Sequence, residues 1–139
     1  MIFTHCYYGT VNSDYTLSRN GIGDAIKAIC DGFAAKTTGT VIGIETQYNV
    51  DFDFTNANGE MICVICGHTH NDYAEQAQSG YWVIATMCDA YNGSQQNPAI
   101  TRTIGTVSEQ AIDLFFIDRS ARKISTIRIG AGQDRHFNY

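Results

Sequence analysis

The segment at residues 61–66, Met-Ile-Cys-Val-Ile-Cys, constrains the fold of this chain more than any other. It is too short to cross a membrane, and its unbroken apolar character is typical of a β-strand that is buried on both faces. Gly67 ends the segment, and His68 and His70 follow at once. Because loops at the ends of buried strands often carry the chemistry of α/β proteins, and imidazole is the commonest metal ligand, this segment predicts a metal site.

Three stretches of the sequence together resemble the calcineurin-like metallophosphoesterases. The first is the Gly-His-Thr-His motif of residues 67–70 after an apolar strand, with Asp72 close behind. The second is His5, which follows a short apolar strand and is similar to the isolated histidine of that family. The third is residues 128–135, which are similar to the closing segment of phage-type and bacterial members. The resemblance covers most of the chain and corresponds to the C-terminal half of the family's domain.

The resemblance implies a set of metal ligands and an activity. His5 and His68 would bind one divalent metal ion and His70 a second, with manganese, iron or zinc as the ion. The implied reaction is hydrolysis of a phosphomonoester or phosphodiester, with a hydroxide as the nucleophile. Asp72 would orient one imidazole through its other ring nitrogen, although an Asn-Asp pair after a turn is equally common in ordinary loops.

Three motifs of the family have no counterpart in this sequence. They are an Asp-x-His, a Gly-Asp whose aspartate bridges the two metals, and a Gly-Asn-His; the Gly-Asp at residues 23–24 falls inside a predicted helix. A two-metal site would therefore need carboxylates from an N-terminal half or from a partner polypeptide, which leaves the assignment as an enzyme open. The alternative is a non-catalytic remnant, or an interaction module that self-associates and keeps at most a weak metal site.

Composition limits the classes of partner. Fourteen acidic residues against nine basic ones give a net charge of −5, and the basic residues are scattered, so non-specific binding to nucleic acid is not expected. No stretch is long and apolar enough for a transmembrane helix, and five cysteines without a signal peptide favour a reduced, cytoplasmic protein. The expected partners are a phosphoester substrate and either a missing N-terminal half or a second copy of the chain.

The hydrophobic periodicity predicts one helix among many strands. Residues 22–36 have helical spacing, residues 41–54 have strand character, and a turn at 56–59 leads into the central strand, giving two antiparallel strands. Further strands are predicted at 81–88, 110–117 and 123–129, and polar loops at 6–21, 72–80 and 89–101. We therefore expect a single strand-rich α/β domain over residues 1–139, forming part of a two-sheet sandwich with a flanking helix.

Several patterns have simpler interpretations than catalysis. Asp51 and Asp53 alternate with phenylalanines, which is typical of a solvated strand face. The Gly-Ala-Gly at residues 130–132 is a weak phosphate-loop signal, and Arg128 and Arg135 beside it are read as a strand followed by a flexible tail.

The cysteines allow a third hypothesis, a structural zinc site that uses cysteines as well as histidines. Cys63 and Cys66 have the spacing of a zinc knuckle, but residues three apart in a strand face opposite sides. Burial in the core is therefore the preferred interpretation of this pair.

Overall fold

The computed structural model describes residues 1–5, 10–11, 17–18, 21–42, 49–67, 70–87, 89 and 100–139. Its α-helix is α1 (Gly21–Ala35), and a short 3-10 turn spans Val107–Glu109. Its strands are β1 (Ile2–Thr4), β2 (Thr10–Val11), β3 (Leu17–Ser18), β4 (Thr38–Ile42), β5 (Asn49–Asp53), β6 (Cys63–Cys66), β7 (Tyr73–Gln76), β8 (Trp82–Ala85), β9 (Ala111–Asp118), β10 (Lys123–Gly130) and β11 (Arg135–Asn138). The chain is thus a strand-rich mixed α/β protein, as the sequence predicts.

Helix α1 lies within one residue of its predicted bounds at each end. It ends in a Schellman-type turn, because Thr37 N donates to Gly32 O at 3.0 Å while Lys36 adopts the left-handed conformation, with φ of 56°. Its apolar side packs on one face of a sheet through Ile26, Cys30 and Phe33. The amphipathic pattern therefore serves packing, and the helix covers the sheet that carries the candidate site.

Strand β6 lies at the centre of a four-stranded sheet with the order β1-β6-β8-β7. Strands β1, β6 and β8 are parallel, and β7 runs antiparallel to β8. All four residues of β6 are buried. This confirms the prediction of a strand buried on both faces, since a strand with no polar side chain gains most from a central position.

Two different layers cover this sheet. On one face, α1 packs against Val64, Cys66 and Val83, together with the fully buried Tyr81. On the other face, Cys63, Ile65 and Ile84 meet side chains of the antiparallel sheet β11-β10-β9. The order of layers is therefore helix, mixed sheet, antiparallel sheet.

The prediction that residues 41–54 pair with the central strand is wrong. β4 pairs antiparallel with β5 in a separate ribbon, and the neighbours of β6 are β1 and β8. The turn at 56–59 therefore connects two sheets instead of closing a hairpin. Asp51 and Asp53 are exposed on β5, which agrees with their interpretation as a solvated face.

Two segments that were predicted to be irregular form strands. β7 lies within the predicted polar loop at 72–80, and β11 replaces the predicted flexible tail. β7 forms a hydrogen-bonded ladder with β8, and β11 forms one with β10. Pairing with a neighbouring strand therefore makes both segments extended, and the pattern of a single sequence does not show which segments will be paired. Most of the predicted loops at 6–21 and 89–101 lies outside the described residues; within the first, β2 pairs with β3.

The helix of the described part has 15 residues, which is too short and too polar to cross a membrane. The chain between its strands is otherwise turns and loops in the ranges that the structure describes.

We expect Ile84→Ala to lower the free energy of unfolding by about 2–5 kcal/mol, because Ile84 is fully buried between the two sheets and its loss leaves a cavity. Ile42→Ala is the matched control, since the same side chain is 65% exposed there. Urea denaturation of both variants measures the difference. Equal effects at the two positions would contradict the described packing between the sheets.

Candidate metal site

The candidate site lies where the parallel strands end. The register pairs Thr4 of β1 with Cys66 of β6, and Cys66 with Ala85 of β8, so all three strands finish at the same edge. One residue further on, Gly67 N donates a hydrogen bond to His5 O at 3.2 Å. The structure therefore brings His5 beside the start of the Gly-His-Thr-His motif, as the sequence predicts for two strand ends that meet.

A shallow groove of about 350 Å³ opens at this edge. It lies between the ends of β1 and β6 and is lined by Phe3, Thr4, His5, Ile65, Cys66, Gly67 and Thr86. His5 is exposed, so its imidazole is accessible to an ion or a substrate. The groove thus combines the accessible imidazole of His5 with apolar and hydroxyl side chains.

The four predicted site residues are not all described. His68 lies outside the described residues, whereas His70 is half-buried and has a left-handed backbone with φ of 56°. This conformation is uncommon for a residue other than glycine. The next residue, Asn71, is buried, and the chain then enters β7. The loop that carries the histidines is thus anchored on the side of Asn71 and Asp72.

The carboxylate of Asp72 belongs to a buried ion cluster at the junction of the two sheets. Arg128 of β10 donates from Nη2 to Asp72 Oδ1 at 2.7 Å and to Asp113 Oδ2 at 3.0 Å, and from Nε to Asp113 Oδ1 at 2.8 Å. Arg135 of β11 donates from Nη2 to Asp113 Oδ2 at 2.8 Å and from Nη1 to the carbonyl of Ala85 at 2.9 Å. Two guanidinium groups therefore balance two carboxylates.

Arg128 is the centre of the cluster. Its side chain is 2% exposed, and its remaining nitrogen, Nη1, donates to Ala131 O at 2.6 Å and faces Met87 Sδ at 3.5 Å. Burial by itself would lower the pKa of this guanidinium, but the hydrogen bonds from it to Asp113 and Asp72 raise the pKa above its usual value. All three nitrogens are engaged, so Arg128 has a structural role and holds no free donor for a substrate.

The Gly-Ala-Gly segment wraps this arginine. Gly132 has φ of 108°, and a Cβ there would lie 2.2 Å from Arg128 Nη1. Glycine is therefore required by the backbone conformation and by the close approach of the guanidinium. The predicted strand that carries Arg128 is confirmed by β10. The flexible tail predicted after it is wrong, because the Gly-Ala-Gly segment is packed around a buried ion pair and Arg135 begins β11.

These contacts define what Asp72 does in the fold. Besides the two arginines, Asp72 Oδ1 accepts a hydrogen bond from Met87 N at 3.2 Å, which ties the loop before β7 to the chain after β8. Its predicted contact with an imidazole stays a prediction. The sequence carried one signal for the cluster: Asp113 and Arg128 stand at inward-facing positions of β9 and β10, where a charge needs a partner of opposite sign.

A metal ion fits the described residues only in part. An accessible imidazole at a strand end suits a divalent ion, but the carboxylates of the ion cluster, Asp72 and Asp113, are neutralised by arginines. Among the residues that the structure describes, no group of three or more His, Cys, Asp or Glu side chains is placed to hold an ion. The ligand set of His5, His68 and His70 therefore stays a prediction that needs carboxylates from elsewhere.

The two cysteines of β6 lie on opposite faces of the sheet. Cys66 packs toward α1 and Cys63 toward the second sheet, as the alternation of side chains predicts. Burial raises the pKa of the Cys63 thiol to about 11 and raises that of Cys66 as well. Both thiols are neutral core residues, and they do not share a zinc ion within one chain in this fold.

No protein-family model, no curated protein and no solved structure matches this chain. The resemblance to the calcineurin-like metallophosphoesterases rests on the Gly-His-Thr-His motif, on His5 and on the tail at 128–135.

We expect Arg128→Met to lower the free energy of unfolding by about 3–5 kcal/mol, because Asp113 would remain buried without its bidentate partner. Arg119→Met is the control, since Arg119 is exposed in a turn. Chemical denaturation of the two variants gives the comparison. A change within about 0.5 kcal/mol for Arg128→Met would show that the cluster contributes little.

The buried thiols should react only in the unfolded protein. Burial, with the nearby Asp31 carboxylate adding to it, raises the pKa of Cys30 to about 11, so at pH 8 this thiol and those of β6 are protonated and unreactive. A chain with Cys6→Ser and Cys88→Ser isolates the three thiols. Titration with a thiol-specific chromogenic disulfide should give no rapid reaction in buffer and three equivalents in denaturant; rapid native reaction would contradict this packing.

Proposed function

We propose that this chain supplies the imidazole ligands of a divalent-metal site in a phosphoester hydrolase that resembles the calcineurin-like metallophosphoesterases. His5, His68 and His70 would hold the ions, and Asp72 would fix the loop from which two of them project. The observation that carries the proposal is the register of β1 and β6, which sets His5 directly beside Gly67 at the start of the motif.

The groups at the edge where the parallel strands end support metal-dependent hydrolysis of a phosphoester. A pair of divalent ions polarises phosphoryl oxygens and supplies a nucleophile at neutral pH, while the protein provides neutral nitrogen ligands and a shaped cavity. The groove beside His5 is open to solvent and is lined by apolar and hydroxyl side chains. Because the chain carries a net charge of −5, bound cations would also offset its repulsion of an anionic substrate.

The proposal assigns the missing carboxylates to another segment or to a partner polypeptide. Asp72 and Asp113 are poor candidates, because freeing either would take away one of the two carboxylates that neutralise the buried guanidinium of Arg128. In this proposal, the carboxylates at the junction of the two sheets hold the histidine-bearing loop in place. The carboxylate ligands of the metal ions come from outside this cluster.

A second candidate function is that of a non-catalytic interaction module. The observation in its favour is the exposed side of β9 and β10, where Leu114, Phe116 and Ile127 are each about half exposed. Exposed apolar patches on soluble proteins commonly mark interaction sites. The two candidates differ at the histidines, since an interaction module needs no metal there.

Calorimetric titration of the chain with Mn²⁺ and with Zn²⁺ tests the first candidate. We expect binding that is lost in the double variant His68→Ala/His70→Ala and weakened in His5→Ala, since each change removes a neutral nitrogen ligand. His136→Ala is the matched control, because His136 lies on β11 and hydrogen-bonds Ser125 at 3.1 Å.

Two outcomes would contradict the proposal. Unchanged binding in the double variant would place the ion elsewhere, and loss of binding in His136→Ala alone would move the site to the antiparallel sheet. Where the double variant abolishes binding, hydrolysis of a chromogenic phosphodiester with Mn²⁺, by the chain with and without a candidate partner segment, tests the reaction itself.

A further inference from the structure

The antiparallel sheet has one face that nothing in the described part of the chain covers. Because side chains alternate along a strand, the odd positions of β9 point to the mixed sheet and the even positions point away. The outward residues Ile112, Leu114, Phe116, Ile127 and Ile129 are between 43% and 53% exposed. We name this set the outer face.

The outer face has about the size of the largest apolar patch that a soluble monomer exposes. Five half-exposed aliphatic and aromatic side chains form a contiguous patch of the order of 300–600 Å², the range in which the largest patch of a soluble protein is often functional. A stable interface buries about 800 Å² on each partner, and the patch supplies the apolar centre of an interface of that size. A matching sheet face is therefore a suitable occupant.

We propose that the outer face binds the outer face of a second copy of this chain, with a two-fold axis that runs parallel to the strands, between β9 and β10. Sheets packed in this way lie about 10 Å apart with their strands roughly aligned. The rotation sets β9 of one copy over β10 of the other. A residue on β9 therefore faces, across the interface, the β10 residue with which it is paired in its own sheet.

The strand register makes the outer face complementary to itself under this rotation. Leu114 is paired with Ile127 and Ile112 with Ile129, so aliphatic side chains meet aliphatic side chains. Phe116 is paired with Ser125, so the largest side chain of each copy would lie over the smallest of the other. The projection on β9 thus fits the hollow on β10, and the Ser125 hydroxyl in that hollow is already hydrogen-bonded to His136.

The charges at the end of the face agree with the same axis. Asp118 of β9 is paired in register with Lys123 of β10. The rotation therefore places Asp118 of one copy near Lys123 of the other, twice. A partner of different sequence would need to reproduce these matches independently, whereas a second copy supplies them by symmetry.

Sedimentation of the full chain over a concentration series tests the proposal. We expect a dimer at about 100 µM, because standard-size interfaces have dissociation constants of the micromolar range or tighter. Leu114→Lys should raise the dissociation constant by at least about 30-fold, since it buries a charge at the centre of the contact. Ile42→Lys is the matched control, because Ile42 is 65% exposed on β4 and lies outside the outer face.

Two further variants separate this geometry from unspecific association. Ser125→Phe adds apolar surface but fills the hollow, so it should weaken the proposed dimer. Unspecific association, in contrast, would be strengthened by the added apolar surface. Lys123→Glu should weaken the dimer, because the change sets two carboxylates opposite each other across the interface and leaves the turn bonds from Ser120 and Ala121 to Asp118 in place. Thermal melts check that each variant folds.

A wild-type chain that stays monomeric at about 100 µM overturns the proposal, as does a dimer that persists in folded Leu114→Lys or that Ser125→Phe strengthens. None of these variants touches His5, His68 or His70, so the outcome is independent of metal binding.

Discussion

The guanidinium of Arg128 joins the two sheets of this protein at the edge where the parallel strands end. It reaches from β10 to the carboxylates of Asp113 and Asp72, and a neighbouring arginine, Arg135, reaches from β11 to the end of β8. Outside this cluster the contact between the sheets is mostly apolar, with a hydrogen bond from Trp82 Nε1 of β8 to Asn138 O of β11 at 2.7 Å. The ion cluster fixes one relative position of the sheets, because charges in a low-dielectric interior must be paired with good geometry.

The candidate site depends on this cluster, although no residue of the cluster is predicted to bind metal. Asp72 is two residues beyond His70, and its carboxylate also accepts the N–H of Met87 after β8. The loop with the histidines is thus anchored at one end by β6 and at the other by an ion pair to the second sheet. A site built on such a loop is positioned by rigid strands on both sides, which suits the defined geometry that metal ligation requires.

Sequence reasoning succeeded where the determinant was local. The apolar run at 61–66 had to be a buried strand, the spacing of residues 22–36 had to give an amphipathic helix, and the alternation in β6 separated Cys63 from Cys66. It failed for β7 and β11, whose residues have no strong strand pattern and are held by ladders to β8 and β10. It also took the turn at 56–59 for a hairpin, since a turn signal does not show which strands become neighbours.

The sequence by itself determined which residues are apolar, which strand is central and where the histidines follow it, because periodicity and turn chemistry are properties of short segments. Only the tertiary structure decided that Arg128 and Arg135 are buried, that Asp72 is tied to Asp113 through Arg128, and that no described residue covers one face of β9 and β10. These facts involve residues far apart in the chain, such as Asp72 and Arg128, which are 56 positions apart. Such pairs form through packing of whole sheets, which no local pattern encodes.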